Sequence, residues 1–222
     1  TRVVGQKVQL QSPPEARTAA ESSARTLLAE PLTADGAVQI ALGYSPTFQR
    51  MLAESAAASA AATQSARLPN PILSYSDLAA GNVTEIDRAL TISLLDILLL
   101  PQRLRLADQQ QVQHRLRSAG DVIASATDAR QAWVDAVAAR QSLTYAEQAR
   151  KAAEAGAELG RRMAAVGNFS RIEAAREQSF YAEATADVAR AQLEAQRTRE
   201  VLIRLLGLSG DLAAMMTLPD RL

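Results

Sequence analysis

Residues 68–101 read LPNPILSYSDLAAGNVTEIDRALTISLLDILLLP, and they interrupt a chain that is otherwise Ala-rich and patterned as helix. Leu73 and Tyr75 alternate with Ser74 and Ser76, and Leu90, Ile92 and Leu94 alternate with Thr91 and Ser93. A period of two with β-branched content marks strands. The spacing predicts strands at 73–77 and 90–95, joined by a polar loop at 79–87 that holds Gly81-Asn82. Two strands alone are marginal in water, so this hairpin needs partners that the chain does not supply.

Working outward, Asn70-Pro71 ends the helix before the hairpin, and Pro101 suits the first turn of the helix after it. Upstream, Thr33 or Asp35 can cap a short helix. Pro46 breaks the pattern, with Ser45 a natural cap for a second helix over about 46–66. Downstream, Val112, Leu116, Ala119, Ile123, Ala126, Ala129, Trp133 and Ala136 follow spacings of three and four, with Val137, Leu143 and Ala146 continuing the stripe. A helix over 102–155 would be ~80 Å long at ~1.5 Å per residue, a length that points to a coiled coil. Gly156, Gly160 and the sequence Val166-Gly167-Asn168-Phe169-Ser170 mark its end. Ser170 with Glu173 three residues on forms a capping box for a return helix over 171–206, closed by Gly207. Its apolar stripe is Ala174, Phe180, Ala184, Val188, Leu193, Val201, Leu202 and Leu205. The domain plan is an extended segment at 1–33, with one helical turn near 19–28, then paired helices at 34–67 and the hairpin at 68–100. A very long helix at 101–166 follows, then a tip, return helix and weakly patterned tail at 167–222.

Composition narrows the function. With 24 basic and 24 acidic residues the formal net charge is zero, which offers no field for nucleic acid. Cysteine is absent, excluding disulfides and thiolate chemistry. Aromatic residues make up only 4%, and abundant alanine suits close helix contacts rather than a wide core. His114, the single histidine, lies among glutamines that are poor metal ligands, and no catalytic or phosphate-binding motif is present. Neither a metal site, a cofactor nor an enzyme is expected. The 166–170 turn reads either as a simple hairpin tip or as a docking surface presenting Phe169 as an exposed aromatic. The strand pair reads either as a soluble hairpin packed on its own helices or as a share of a membrane barrel.

Five stretches in this order carry a resemblance: AVQIALGYSP (37–46), ARLPNPILS (66–74), LDILLLPQRLRLA (95–107), VGNFSRIEAAREQ (166–178) and LIRLLGL (202–208). Together they resemble the first of the two structural repeats of the TolC-like outer-membrane efflux factor family. The resemblance implies a mainly α fold, a long antiparallel helical hairpin with an inserted β-hairpin, which is half of a barrel-plus-tunnel protomer. It implies a homotrimer in the Gram-negative outer membrane with its helices in the periplasm. Such a trimer is a passive channel that meets a periplasmic adaptor and an inner-membrane pump. By position, Leu73, Tyr75, Leu90, Ile92 and Leu94 would belong to barrel strands, and Gly167, Asn168, Phe169, Ser170 and Arg171 to the adaptor-contact tip. Members are about twice this long, so the chain corresponds to their N-terminal half. The alternative is a soluble coiled-coil interaction or scaffold module.

Overall fold

The computed structural model describes residues 2–3, 6–7, 14–65, 67, 70–80 and 83–222. The fold is mainly helical, with long helices and a small antiparallel strand pair. In chain order the elements are β1 (Arg2–Val3), β2 (Gln6–Lys7), α1 (Pro14–Leu28), α2 (Ala34–Gly43), α3 (Pro46–Ser65), β3 (Ile72–Ala80), β4 (Val83–Thr91), α4 (Leu94–Ala165), α5 (Arg171–Leu206) and α6 (Asp211–Met215). β1 and β2 pair antiparallel, as do β3 and β4. The chain divides into two compact units, residues 1–50 with 122–222, and residues 51–121.

The first unit holds the apolar core. Its largest fully buried side chains are Leu28, Leu32, Ile40, Val137, Leu202 and Leu206, contributed by α1, α2, α4 and α5 and the loop after α1. Polar ties fix the frame around them. Trp133 Nε1 donates to the Leu32 carbonyl at 2.7 Å, and Arg130 pairs with Asp35 at 2.5 Å. Arg199 donates to the Ala213 and Met216 carbonyls, and Arg140 to the Leu218 carbonyl, which holds the C-terminal segment down. That tail is therefore ordered by its buried Leu212, Met216 and Leu218 despite its weak pattern.

Several local expectations hold. Thr33 caps α2 by accepting from Gly36 N at 3.0 Å. Gly207 ends α5 at φ 73°, where the left-handed conformation costs glycine nothing. Here glycine is also required for space, since a Cβ would sit 2.3 Å from Pro46 Cδ. Ser45 differs from expectation in where its hydroxyl goes: it donates to the Leu205 carbonyl across this same contact.

Other expectations are corrected. The segment 1–33 is not simply extended, because α1 spans fifteen residues of it. Pro14 opens that helix and Ala24 and Leu28 are buried. Two buried positions among hydroxyl and charged residues carry little periodic signal, and tertiary burial decides the outcome. The long helix starts at Leu94 rather than after Pro101. Ser93 Oγ accepts from Asp96 N at 3.4 Å, so the cap lies before the apolar run and Pro101 falls inside the helix. Gly156 and Gly160 do not end that helix, which continues to Ala165. Among the described residues, no helix is long and apolar enough to cross a membrane.

Candidate functional sites at the strand pair and the hairpin tip

β3 and β4 run in register from Ile72↔Thr91 to Ala80↔Val83, so strand pairing covers most of the expected 79–87 loop. Gly81 and Asn82 lie outside the described residues. Directly paired residues share one face of an antiparallel ladder. Leu73 pairs with Leu90 and Tyr75 with Arg88, and the Arg88 guanidinium lies 5.8 Å from the Tyr75 ring centroid. Leu73 is 77% exposed and Leu90 63%, while Ile72, on the opposite face, is also largely exposed. The strand ends at Thr91, so Ile92 lies just past it and Leu94 begins α4; neither is a strand residue. The Ser93 cap explains this, because it turns the 94–100 run into helix where alternation alone extends the strand.

The rest of residues 51–121 has the same character. Its α3 and α4 segments meet through alanines, with Ala62 and Ala107 buried and the Ser55 and Ser118 hydroxyls in hydrogen-bond contact. Meanwhile Leu95, Leu98, Leu106, Val112 and Leu116 are exposed along α4. A 100° step per residue puts these five on one broad face.

At the other candidate site, α4 and α5 form an antiparallel helical hairpin. Inward positions on α5 recur every seven residues: Ala174, Tyr181, Val188, Ala195 and Leu202, with Glu177, Ala184, Ala191 and Thr198 between them. This 3.5-residue period is the coiled-coil seam. On α4, Gly156 and Gly160 open a notch that takes the Glu177 side chain. A Cβ at Gly156 would lie 3.1 Å from Glu177 Oε2, and one at Gly160 would lie 3.2 Å from Glu177 Cγ. Neither the notch nor the residues tying down the tail were among the expected functional positions. Two glycines four residues apart, facing a heptad partner, were the available signal. The expected stripe on α5 needs correction: Phe180, Leu193 and Val201 face solvent with Ile172, on the side away from the seam.

Gly167, at φ 78°, turns the chain, while Asn168 N donates to the Met163 carbonyl and Gly167 N to that of Ala164. This is the Schellman closure of α4. Ser170 then caps α5 in a complete capping box: its Oγ accepts from Glu173 N, and Glu173 Oε2 accepts from Ser170 N at 2.7 Å. That backbone bond, then the serine hydroxyl, hold the Glu173 carboxyl below the usual carboxylate range. Glu158 is likewise lowered, by hydrogen bonds from Arg162 and then Arg161. Asn168 and Arg171 are exposed, but Phe169 is half-buried, contrary to its expected exposure. Val166 and Ile172 are the exposed apolar groups flanking the turn. Among the described residues no group of three or more His, Asp or Glu side chains could hold a metal ion.

No protein-family model matches this chain, and no curated protein matches it. Its fold is similar to the crystal structure of a membrane protein from Pseudomonas aeruginosa, with a TM-score of 0.62 and 20% identity. The alignment covers 82% of this chain and 46% of that one, so this chain spans about half of that protein's length. At this identity the likeness is one of fold.

Proposed function

We propose that this chain is the N-terminal half of a TolC-like channel protomer, a passive component of a tripartite system that moves solutes across the periplasm and outer membrane. The observation that carries this reading is the 51–121 unit. A two-stranded ladder, with both edges open among the described residues, exposes Leu73, Tyr75 and Leu90, and the following helix exposes Leu95 and Leu98. Soluble monomers rarely display apolar patches of more than a few hundred Å². A hydrocarbon layer also forbids open strand edges, so in a membrane such strands must join others into a closed barrel.

Three further features support the reading. The order helix, helix, strand pair, long helix, return helix is the one the resemblance calls for. The α4–α5 hairpin has apolar residues on two sides, a buried seam and the exposed Ile172, Phe180, Leu193 and Val201, as a helix with neighbours on both sides requires. The fold is also similar to that of a chain described as a membrane protein, of which it spans 46%. In this reading β3 and β4 are shares of a trimeric outer-membrane barrel, conduction involves no chemistry, and the 166–171 tip meets a periplasmic adaptor that couples the channel to an inner-membrane pump. With Phe169 half-buried, Val166 and Ile172 become the apolar contacts the tip offers.

The heptad seam of α5 favours a second reading, a soluble coiled-coil interaction module. Fractionation of the native host separates the two. The full-length protein is expected in the outer membrane and to stay in solution only with detergent. Recovery in the soluble fraction without detergent overturns the channel and selects the module.

A further inference from the structure

Pro101 is the eighth residue of α4, so it lies inside the helix rather than in its first turn. Proline has no N–H, so the Ile97 carbonyl loses the bond a helix would give it, and the ring presses on that carbonyl. The clash spreads the helix on the proline side and closes it on the opposite side, as in the sharp bends that proline causes. Asp96 and Arg103 stand on that opposite side. At ~100° per residue Asp96 lies ~140° from Pro101 and Arg103 ~160°, and only ~20° separates the two. Pro101 is exposed, whereas Asp96 and Arg103 are half-buried on the face that holds the buried Ala107. Their side chains meet at 2.6 Å, Arg103 Nη2 against Asp96 Oδ1. The span of this pair sets it apart. Among the described residues, Arg150–Glu154, Glu158–Arg161 and Glu158–Arg162 in α4 join side chains three or four positions apart. Asp96 and Arg103 are seven apart, ~10 Å along the axis at ~1.5 Å per residue, and the missing bond lies between them.

We propose that Pro101 is a hinge in α4 and that the Asp96–Arg103 pair is its latch, bridging the side that closes when the helix bends. Ahead of the hinge stand the first two turns of α4, which follow β4 directly; behind it the helix runs on to Asp121 within the same unit. With the latch made, the strand pair is held at a set angle to the helix behind it. With the latch broken, the helix pivots where its backbone ladder lacks a bond. The Asp96 side chain is only 22% exposed, so water and salt screen this pair less than they screen a pair on an open surface. The proposal goes beyond the channel reading and does not depend on it. A hinge between strand pair and helix works in the same way whether the strands join a barrel or stay in water.

The test is a double-mutant cycle read by amide hydrogen exchange over residues 98–105 of the full-length protein, which reports local opening. Pro101→Ala restores a donor to the Ile97 carbonyl and should slow exchange at least about tenfold, since an interior proline costs a helix far more than one ion pair contributes. Arg103→Gln breaks the latch and should speed exchange about threefold, the scale of a single ion pair. Arg103 is the partner to change, because Asp96 also stands in the first turn of α4, where a carboxylate favours the helix on its own account. The hinge shows itself as coupling between the two sites. In the Pro101→Ala background Arg103→Gln should change exchange far less, because without a hinge the latch has nothing to hold. Equal acceleration in both backgrounds makes the pair an ordinary helix contact and overturns the proposal. No acceleration by Arg103→Gln alone, or no slowing by Pro101→Ala, overturns it as well. Exchange in the β3–β4 ladder is the control and should hold in every variant. Faster exchange there in Arg103→Gln would mean that the pair supports the ladder rather than a hinge, which also overturns the proposal.

Discussion

The two units of this chain are built from the same Ala-rich helical material, yet they treat large apolar side chains in opposite ways. In residues 1–50 with 122–222, leucines, an isoleucine and a valine are sealed among α1, α2, α4 and α5. In residues 51–121 the buried apolar groups among the described residues are two alanines, Ala62 and Ala107, while Ile72, Leu73, Leu90, Leu95 and Leu98 are exposed. Burying one such side chain contributes about 1.5–3 kcal/mol. The first unit gains this stabilisation internally, and the second leaves it to be gained from outside. An element that leaves several such contributions unmade has apolar surface to offer, and the proposed channel rests on this contrast more than on any motif.

The most direct way to break the contrast is to truncate one leucine in each unit. Leu206 is fully buried, so Leu206→Ala should cost about 2–5 kcal/mol in urea denaturation, the range for a leucine whose site cannot collapse. Leu98→Ala should stay within about 0.5 kcal/mol, as surface substitutions do. Similar losses for the two would mean that the 51–121 unit buries its leucines in solution.

A pair of glycines sharpens the same contrast within the first unit. Gly167 and Gly207 have nearly equal positive φ, 78° and 73°. Around Gly167 nothing would meet an added Cβ within 4 Å, so Gly167→Ala should cost only the left-handed backbone penalty, about 1–2 kcal/mol. At Gly207 the Cβ would press on the Pro46 ring, so Gly207→Ala should lose more than Gly167→Ala. Equal losses in thermal or urea unfolding would mean that α3 can move away from α5 without cost.

How much of this was legible depended on whether the cause was local. Thr33, the Ser170–Glu173 pair and Gly207 act within a few residues of themselves, and the sequence located each of them. The alternation of Leu73 with Tyr75 likewise revealed strand β3. The start of α4 was misread because two local rules competed: Pro101 suits a first helical turn, but Ser93 caps earlier, and the 94–100 leucine run satisfies either period. Gly156 and Gly160 read as a stop because their partner, Glu177, is distant in sequence. The α5 stripe mixed two faces, since Val188 and Leu202 turn inward whereas Leu193 and Val201 turn outward, and periodicity cannot say which apolar residue faces the chain's own partner. Among the site residues, Phe169 was placed at the turn but its partial burial depends on packing that sequence spacing does not report.

The most local effect belongs to the tip, where the capping box can be altered without touching the core or the strand pair. Ser170→Ala removes the acceptor for Glu173 N and should cost about 1 kcal/mol. The Glu173 carboxyl titrates below the usual carboxylate range when folded, because Ser170 N and then its hydroxyl bond the charged form. A carboxylate whose pKa falls on folding contributes stability that is fully present above its unfolded pKa and is lost as pH falls through the folded one. Acidification through and below the ordinary carboxylate range should therefore loosen the first turn of α5, read as faster amide exchange at Glu173 and Ala174 after correction for intrinsic rates. Glu173→Gln should exchange faster at neutral pH and show a flatter acid response. Because the effect is confined to the tip, exchange in β3 and β4 should not change in either variant. A matching change there would mean that the two units do not respond separately, and the contrast between them would fail.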